Sequence, residues 1–183
     1  MKINCSWLTE ELDIDLNNFK EEYEYAYSLF VRDFVESHPT INGKPVEPRY
    51  YPDFNGKYHS FDHITTKDYN RRQGRNSSKH EDREPDIRRL ERIEWVRLLI
   101  EHPNCIPLTA CDCRGTMLWY EDYKNTYRVN ILLPDEKFMV VFEKNKKFDK
   151  YLLVTAYYLY GQFDVESKIK KYEANKGYIP NPL

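Results

Sequence analysis

The chain has 183 residues, of which 40% are hydrophobic, 15% aromatic and 32% charged, with a formal net charge of -2. This length suits one domain with its own core, and the aromatic content, which includes 16 tyrosines, argues against a disordered chain. No apolar stretch approaches the thickness of a bilayer and the N-terminal residues lack a secretory pattern, so we expect a cytoplasmic protein without a membrane segment. Four cysteines are too few for a disulfide scaffold, and we expect free thiols.

The small net charge hides two segments of opposite sign. Residues 1–40 carry nine acidic and three basic side chains, whereas residues 67–80 carry five basic side chains and one acidic side chain, a net charge of +4. The isoelectric point of the whole chain therefore says nothing about a polyanionic partner. The basic segment, which includes Arg71 and Arg72, has the charge that a phosphate chain requires.

The first predicted element is an amphipathic helix that begins at Asn18 and ends near His38-Pro39. Asn18 and Glu21 have the spacing of a capping box. Aromatic side chains then recur at the steps of three and four residues that place them on one helical face. These side chains are Phe19, Tyr23, Tyr27, Phe30 and Phe34.

Two Asn-Gly turns follow this helix. Asn42-Gly43 lies between short apolar positions and predicts a turn or hairpin. Asn55-Gly56 precedes YHSFDHITT, which we predict to be a short strand. Because side chains alternate along a strand, one side would carry His59, Phe61 and His63.

The basic residues 67–79 show no periodicity and are predicted to form a mobile loop. Asp86 then opens a second amphipathic helix, DIRRLERIEWVRLLIEH. Its apolar stripe comprises Ile87, Leu90, Ile93, Val96 and Ile100.

Beyond Ile106 the pattern changes to the strands TMLWYE, TYRVNILL, EKFMVVFEK and KYLLVTAYYL, whose short connections favour an antiparallel meander. VESKIKKYEANKG then predicts a C-terminal helix. The order of elements predicts an α+β fold with helices packed on one face of a four- to five-stranded antiparallel sheet. We expect an N-terminal helical segment, residues 1–40, and an α+β domain, residues 41–183, in one compact unit.

The first candidate for a reacting centre is His63 with Thr65, Thr66 and Lys67. At neutral pH an imidazole can move a proton, a cation stabilises developing negative charge, and a hydroxyl can orient a phosphate. These groups suffice for metal-free cleavage of RNA, in which the 2′-hydroxyl attacks the adjacent phosphodiester. The alternative is that His63 only packs against or caps a strand, but the neighbouring basic segment favours the catalytic interpretation.

The second helix carries the arginines Arg88, Arg89, Arg92 and Arg97. Arg88 and Arg92 are four residues apart and share a face with Trp95, so they could present two guanidinium groups and an indole to a nucleotide. The alternative is a solvated face on which nearby acidic residues pair with these arginines.

Thr155 and Tyr157 project to one face of the last strand, whereas Ala156 and Tyr158 project to the other. A hydroxyl pair at the end of an apolar strand could line a pocket. The alternative is that both side chains pack in the core.

A possible metal site is the H-x2-C-x5-C-x-C cluster of His102, Cys105, Cys111 and Cys113. Thiolates and an imidazole at tetrahedral positions are ligands that zinc prefers. The spacing departs from that of paired C-x2-C knuckles, so zinc remains a minor alternative and we expect no cofactor.

Several catalytic motifs are absent from the sequence. The chain has only six glycines and no glycine-rich phosphate loop, G-x-S-x-G or H-E-x-x-H motif. These absences argue against a nucleoside triphosphatase, a serine hydrolase and a metalloprotease.

The motif order SFDHITTKD, then PDIRRLERIEWVRLLIE, then FMVVFEKNKKFDKYLLVTAYYL resembles the phage-associated nucleases of the barnase, EndoU, colicin and RelE (BECR) group. The resemblance covers residues 42–160. It implies an RNA-cleaving fold that has N-terminal helices on an antiparallel sheet and uses no metal. The long basic segment and the cysteine cluster depart from the pattern of the group.

The resemblance also implies roles for individual residues. The implied catalytic residues are His63, Lys67, Thr155 and Tyr157, with His63 as the general acid or base. It implies that Lys67 and an arginine of the second helix, Arg88 or Arg92, hold the phosphate. With the hydroxyls of Thr65 and Thr66 and the basic side chains Arg71 and Arg72, these arginines are the predicted substrate-binding residues. Single-stranded RNA would lie on the free face of the sheet beside the basic segment, so these residues must converge there.

The expected function is a metal-independent endoribonuclease of a phage or mobile element, acting as a toxin or defence effector. Its partners would be RNA, such as tRNA, and an antitoxin or immunity protein in the host cytoplasm. The alternative is a non-catalytic phage accessory protein that binds a protein or nucleic-acid partner through its acidic helix and basic segment.

Overall fold

The computed structural model describes residues 5–68, 83–106 and 113–180. The helices in these residues are α1 (Phe19–Phe34), α2 (His59–Thr65), α3 (Ile87–Leu90), α4 (Trp95–Glu101) and α5 (Gln162–Asn175). The strands are β1 (Thr40–Ile41), β2 (Lys44–Pro48), β3 (Thr66–Asp68), β4 (Arg83–Pro85), β5 (Met117–Tyr123), β6 (Thr126–Leu133), β7 (Phe138–Lys144) and β8 (Tyr151–Tyr158). This order confirms the predicted α+β class. None of the helices in the described ranges is long and apolar enough to cross a membrane.

The main sheet has six strands in the order β1-β2-β8-β7-β6-β5. Strands β5 to β8 form the antiparallel meander that the sequence predicts. β2 pairs in parallel with the start of β8, from Val46 opposite Tyr151 to Pro48 opposite Leu153, and β1 pairs with β2. The sheet is therefore mixed, and wider than the predicted four to five antiparallel strands, because the chain before α2 also pairs with the edge of the meander. β3 and β4 form a separate two-stranded sheet.

Helices cover both faces of the main sheet. On one face Val140 and Phe142 of β7 pack in a core that includes residues of α1 to α4. On the other face Met139 and Val141 pack with Val165 of the predicted C-terminal helix, α5. The predicted arrangement on one face thus holds for α1 to α4 but not for α5. The physical reason is that β6 and β7 are apolar on both faces, and each apolar face must be covered.

The predicted first helix is confirmed as α1, which buries Phe30 and Phe34. Its N-terminus differs in detail from a capping box. Asn18 occupies the cap position without a side-chain cap hydrogen bond. Asp15 instead caps a preceding 3-10 turn, where its Oδ1 accepts a hydrogen bond from Asn17 N at 2.9 Å.

Both Asn-Gly turns are confirmed. The φ angles are 51° at Asn42 and 73° at Gly43, and 49° at Asn55 and 74° at Gly56. Positive φ at both central residues is the requirement of a two-residue type I′ turn, and Asn-Gly meets it with little strain.

The segment after the second turn is a helix, α2, and the strand prediction for it was wrong. Thr65 Oγ1 and Thr66 Oγ1 each donate to the carbonyl four residues earlier, at 2.8 and 2.6 Å. Helical spacing, rather than two-residue alternation, therefore decides which side chains share a face. A strand would also have placed His59 and His63 on one side, but in α2 they lie one turn apart and their rings are close together.

The predicted second helix is interrupted. α3 ends at Leu90 and α4 begins only at Trp95. Between them, the Glu91 carbonyl accepts a hydrogen bond from Leu12 N at 2.8 Å, and Trp95 N donates to Arg92 O, three residues back, at 3.1 Å. The N-terminal segment thus takes an acceptor that a continuous α-helix would have used.

Candidate active site

α2 lies along the part of β8 that β2 leaves unpaired, because β2 pairs with β8 only as far as Leu153. At that point Ser60 Oγ accepts a hydrogen bond from Arg49 N at 2.8 Å and donates to Leu153 O at 2.6 Å. Further along the strand, Thr155 Oγ1 donates to the His63 carbonyl at 3.1 Å. Side-chain hydrogen bonds therefore hold both ends of α2 against the edge of the sheet.

Two half-buried imidazoles lie side by side on α2. The ring centroids of His59 and His63 are 4.2 Å apart and their planes are inclined by 50°. Two adjacent imidazoles can serve as a proton acceptor and a proton donor in one reaction.

Two arginines hold the C-terminal end of α2. Arg83 donates from Nε to Thr66 Oγ1 at 2.7 Å, and this Nε lies 3.4 Å from Asp62 Oδ2. Arg89 donates from Nη1 to the carbonyls of Thr66 at 2.6 Å and His63 at 3.2 Å. Cationic side chains thus bind the backbone that carries the second imidazole.

The arginines around the imidazoles have acidic partners. Arg89 is 8% exposed, and its Nε lies 3.4 Å from Oδ2 of the fully buried Asp86. Asp86 Oδ1 also accepts a hydrogen bond from the Tyr160 hydroxyl at 2.6 Å. On the other side, Arg49 Nη2 donates to Glu143 Oε1 at 2.6 Å.

Burial and the arginines keep the imidazoles neutral at pH 7. Burial, followed by the charge of Arg83, lowers the pKa of His63 to about 3, and His59, Arg49 and Arg89 act in the same direction. Burial, followed by the charge of Arg49, also lowers the pKa of His59. Although each arginine has an acidic partner, the charges that act most strongly on His63 are cationic, so the potential at its ring is positive. Such a potential favours a bound anion.

Lys67, on β3, adjoins the cluster at its exposed side. Its Nζ lies 3.3 Å from Glu84 Oε1 and 5.7 Å from the centroid of the Tyr160 ring. The side chain keeps 41% of its surface exposed, so its ammonium group is accessible to a ligand. Tyr160 connects Lys67 with Asp86 and thereby with Arg89.

Thr65 and Thr66 lie beneath this cluster. Both residues are buried, and their hydroxyls donate to the carbonyls of Phe61 and Asp62. Thr66 Oγ1 also accepts from Arg83. In this arrangement the two hydroxyls fix the end of α2 and are not presented on the surface.

Thr155 and Tyr157 both adjoin the cluster through internal contacts. Thr155 reaches it through the His63 carbonyl, as described above. The Tyr157 ring centroid lies 5.7 Å from the guanidinium carbon of Arg89, and its hydroxyl donates to Met139 Sδ at 3.3 Å. Both hydroxyls thus have partners within the protein.

Of the arginines on the predicted second helix, Arg89 is the one that contacts the His63 backbone, rather than Arg88 or Arg92. Arg92 is buried, with Nη2 2.5 Å from Glu11 Oε1 and its guanidinium carbon 5.0 Å from the centroid of the Trp95 ring. Arg88 is exposed and its Nη1 lies 3.4 Å from Oε2 of Glu91, the residue that follows α3. The predicted contact between Arg92 and the indole is present, but an ion pair with the N-terminal segment occupies that guanidinium.

Sequence reasoning selected His63 but not its neighbours His59, Arg49 and Arg83, and among the arginines of the second helix it favoured Arg88 and Arg92 over Arg89. His59 had a signal, because it precedes His63 by the four residues that place two side chains on one helical face. The sequence held no signal that Arg49, Arg83 and Arg89 lie near His63. They follow β2, begin β4 and lie on α3, and only tertiary contacts bring these segments together. The predicted Arg71 and Arg72 lie outside the described residues.

The cysteine cluster takes part in other contacts. The His102 ring stacks on Trp7 at 4.7 Å, and its Nδ1 lies 2.9 Å from Leu98 O. Trp7 Nε1 donates to Cys105 Sγ at 3.3 Å, and Cys111 lies outside the described residues. In the part of the chain that the structure describes, no group of three or more His, Cys, Asp or Glu side chains is arranged to hold a metal ion.

The imidazole pair lies at the edge of the sheet, where β2 ends, and not on an open face. The face that was expected to remain free for RNA is the one against which α5 packs.

A scan against protein-family models found no match to this chain, and neither a search of curated proteins nor a search of solved structures found one.

Proposed function

We propose that the chain is a metal-independent endoribonuclease of phage or mobile-element origin, with a BECR-like fold. The observation that carries the proposal is the pair of imidazoles 4.2 Å apart, His59 and His63, with Arg49, Arg83 and Arg89 around them. Two imidazoles supply a base and an acid, and guanidinium groups suit a phosphodiester. The antiparallel meander that follows helices α2 to α4 adds support from the order of elements.

In the proposed reaction His63 takes the proton of a ribose 2′-hydroxyl, and the freed oxygen attacks the adjacent phosphorus. The bond between that phosphorus and the 5′-oxygen of the next nucleotide breaks, and His59, which is protonated once RNA is bound, donates a proton to this oxygen. The products are a 2′,3′-cyclic phosphate end and a 5′-hydroxyl end. Arg83 and Lys67 stabilise the negative charge that develops on the non-bridging oxygens.

The low pKa of His63 makes this reaction depend on substrate binding. A base acts best when its pKa is close to the working pH, and a pKa of about 3 is too low. A phosphodiester among the arginines would place a negative charge beside the ring and raise its pKa. We therefore expect the free protein to hold an inactive, neutral imidazole pair that bound RNA activates.

Cleavage of total RNA or purified tRNA in the presence of EDTA tests the proposal. We expect His63→Ala to reduce cleavage by about 10²- to 10⁴-fold, the usual contribution of a general acid or base. The control is His38→Ala, because His38 is exposed and lies in the connection between α1 and β1, and it should cleave like the wild type. No cleavage by the wild type, or equal cleavage by the wild type and His63→Ala, contradicts the proposal.

On this proposal the protein acts as a toxin or defence effector on RNA, such as tRNA, in the host cytoplasm. An antitoxin or immunity protein would then be needed to protect the cell that makes it. Expression of the wild type should stop growth, and expression of His63→Ala at the same level should not.

A non-catalytic phage accessory protein that binds a protein or nucleic acid is the second candidate. The observation that favours it is the internal bonding of the Thr155 and Tyr157 hydroxyls, to the His63 carbonyl and to Met139 Sδ. Binding of RNA by the wild type without any cleavage in EDTA would support this candidate and exclude the nuclease.

A further inference from the structure

A concave groove shares Arg83 and Thr66 with the candidate active site. The groove is lined by Phe19, Tyr23, Phe54, Thr66, Arg83 and Pro85. It encloses about 180 Å³, which is below the roughly 300–1,000 Å³ of pockets for drug-sized ligands. Its size therefore suits a single small ring system.

Three of the described lining residues, Phe19, Tyr23 and Phe54, are aromatic, and the core and a turn hold them in place. The ring centroids of Phe19 and Tyr23 are 5.8 Å apart, and Tyr23 packs edge-on against the buried Phe61 at 5.1 Å. Phe54 begins the second Asn-Gly turn, which is closed by a hydrogen bond from Lys57 N to Phe54 O at 2.9 Å. A groove formed in advance in this way loses little conformational entropy when it binds a ligand.

Arg83 connects the groove with the imidazole pair. Thr66 holds its guanidinium at Nε and Nη2, at 2.7 and 2.9 Å. Its Nε also lies 3.4 Å from Oδ2 of Asp62, the residue that precedes His63 on α2. One side chain therefore lines the groove and contacts α2 beside the proposed base, so a nucleotide with its phosphate near His63 would have a base within reach of the groove.

We propose that this groove binds one unpaired nucleobase of the RNA substrate, next to the phosphodiester that is cleaved. The inference rests on the proposed function and adds a base-binding subsite to it. Aromatic rings beside an arginine are how proteins bind unstacked bases of single-stranded nucleic acid. A wholly apolar ligand would leave the Arg83 guanidinium against apolar atoms, whereas a base can stack on it or accept a hydrogen bond from it.

Binding of short single-stranded oligonucleotides with 2′-O-methyl riboses tests the subsite. These oligonucleotides lack the attacking hydroxyl and cannot be cleaved. A 2-aminopurine placed at each position in turn should lose fluorescence at the position that enters the groove. An oligonucleotide without a base at that position should bind the wild type about 10- to 100-fold more weakly, in line with the usual contribution of one stacked base.

Two variants of Phe54 distinguish stacking from a change in the turn. Phe54→Ala and Phe54→Leu should both lose most of the preference for the base, because the leucine keeps an apolar side chain but has no aromatic face. The matched control is Phe148→Ala, since Phe148 is an aromatic residue that is 62% exposed in the turn between β7 and β8. This control should keep the full preference.

The subsite is overturned if the wild type binds the complete and the abasic oligonucleotides equally, or if Phe54→Leu keeps the full preference. Either result together with cleavage of RNA by the wild type in EDTA removes the subsite and leaves the proposed nuclease. Loss of preference in both Phe54 variants, with unchanged preference in Phe148→Ala, supports the subsite.

Discussion

The meander of β5 to β8 and the junction of α2, β3, β4 and α3 are stabilised in different ways. The meander buries apolar side chains on both faces, such as Phe142 and Met139 of β7. The junction buries ions, among them Asp62, Asp86 and Arg89. The stability of the meander therefore depends on close packing of its apolar side chains. The stability of the junction depends instead on each buried charge having an ion-pair partner.

This difference indicates where a function can be accommodated. A buried ion pair adds little net stability compared with apolar packing of the same volume, so the junction is poorly explained as a device for stability alone. It is also where the chain places two imidazoles with lowered pKa values beside arginines. Perturbed titratable groups of this kind cluster at functional sites.

The largest expected effect is in the meander. Phe142 is fully buried, and Phe142→Ala should lower the free energy of unfolding by about 3–5 kcal/mol, because it leaves a cavity in the core. Urea unfolding measures this loss. Phe148→Ala, at an exposed position, should change the free energy by less than about 0.5 kcal/mol. An equal change in the free energy of unfolding for the two variants would show that packing of the β7 side chains does not stabilise the core.

In the junction, Arg89→Ala should lower the free energy of unfolding by about 3 kcal/mol, because it leaves Asp86 buried without its ion-pair partner. The adjacent Arg88 is exposed, and Arg88→Ala should cost less than about 0.5 kcal/mol. Urea unfolding of the two variants at pH 7 provides the comparison. A loss for Arg89→Ala as small as that for Arg88→Ala would mean that the buried ions do not hold the junction together.

The junction, unlike the meander, should make stability depend on pH through His63. Its pKa falls from 6.5 to about 3 in the folded protein, so the unfolded chain binds more protons between these pH values. This contribution is fully present above about pH 6.5, and it is lost by up to about 1.4 kcal/mol per unit as the pH falls towards 3. Urea unfolding at pH 7, 6, 5 and 4 measures the slope, and His63→Gln should reduce it. An unchanged slope in that variant would assign the pH dependence to other groups.

RNA should move the same pKa in the opposite direction. An uncleavable 2′-O-methyl dinucleotide brings a phosphodiester charge near the arginines and should raise the pKa of His63 above that in the free protein. The chemical shifts of the His63 ring, followed by NMR as a function of pH, measure this change. A His63 titration that the dinucleotide leaves unchanged would remove the proposed activation.

The smallest expected effects concern the boundary between the two regions, on β8. Thr155→Val removes the hydrogen bond to the His63 carbonyl and should cost about 1 kcal/mol. Tyr157→Phe removes only a bond to a thioether sulfur, which is a weak acceptor, and should cost less than about 0.5 kcal/mol. Thermal unfolding should rank the two variants in this order. The reverse order would mean that Tyr157 holds α2 more firmly than Thr155 does.

The two regions also differ in how well the sequence predicts them. The four strands of the meander were predictable because their register depends on neighbouring segments, short turns and apolar residues at regular spacing. α2 was predicted as a strand because seven residues are too few to show a helical period, and its helix is fixed by contacts of Ser60 and Thr155 with β8. The interruption between α3 and α4 could not be predicted from the sequence either, because the hydrogen bond from Leu12 N to Glu91 O joins distant parts of the chain.

By itself, the sequence determined the α+β class, the first helix, both Asn-Gly turns, the meander and the C-terminal helix, and it identified His63 as a candidate. These features depend on local periodicity and turn chemistry, which are properties of neighbouring residues. Only the tertiary structure decided that β2 widens the sheet, that α5 covers its second face, and that Arg49, Arg83 and Arg89 surround the imidazoles. Those features depend on which distant segments meet, and burial and charge act on a side chain only after the segments have met.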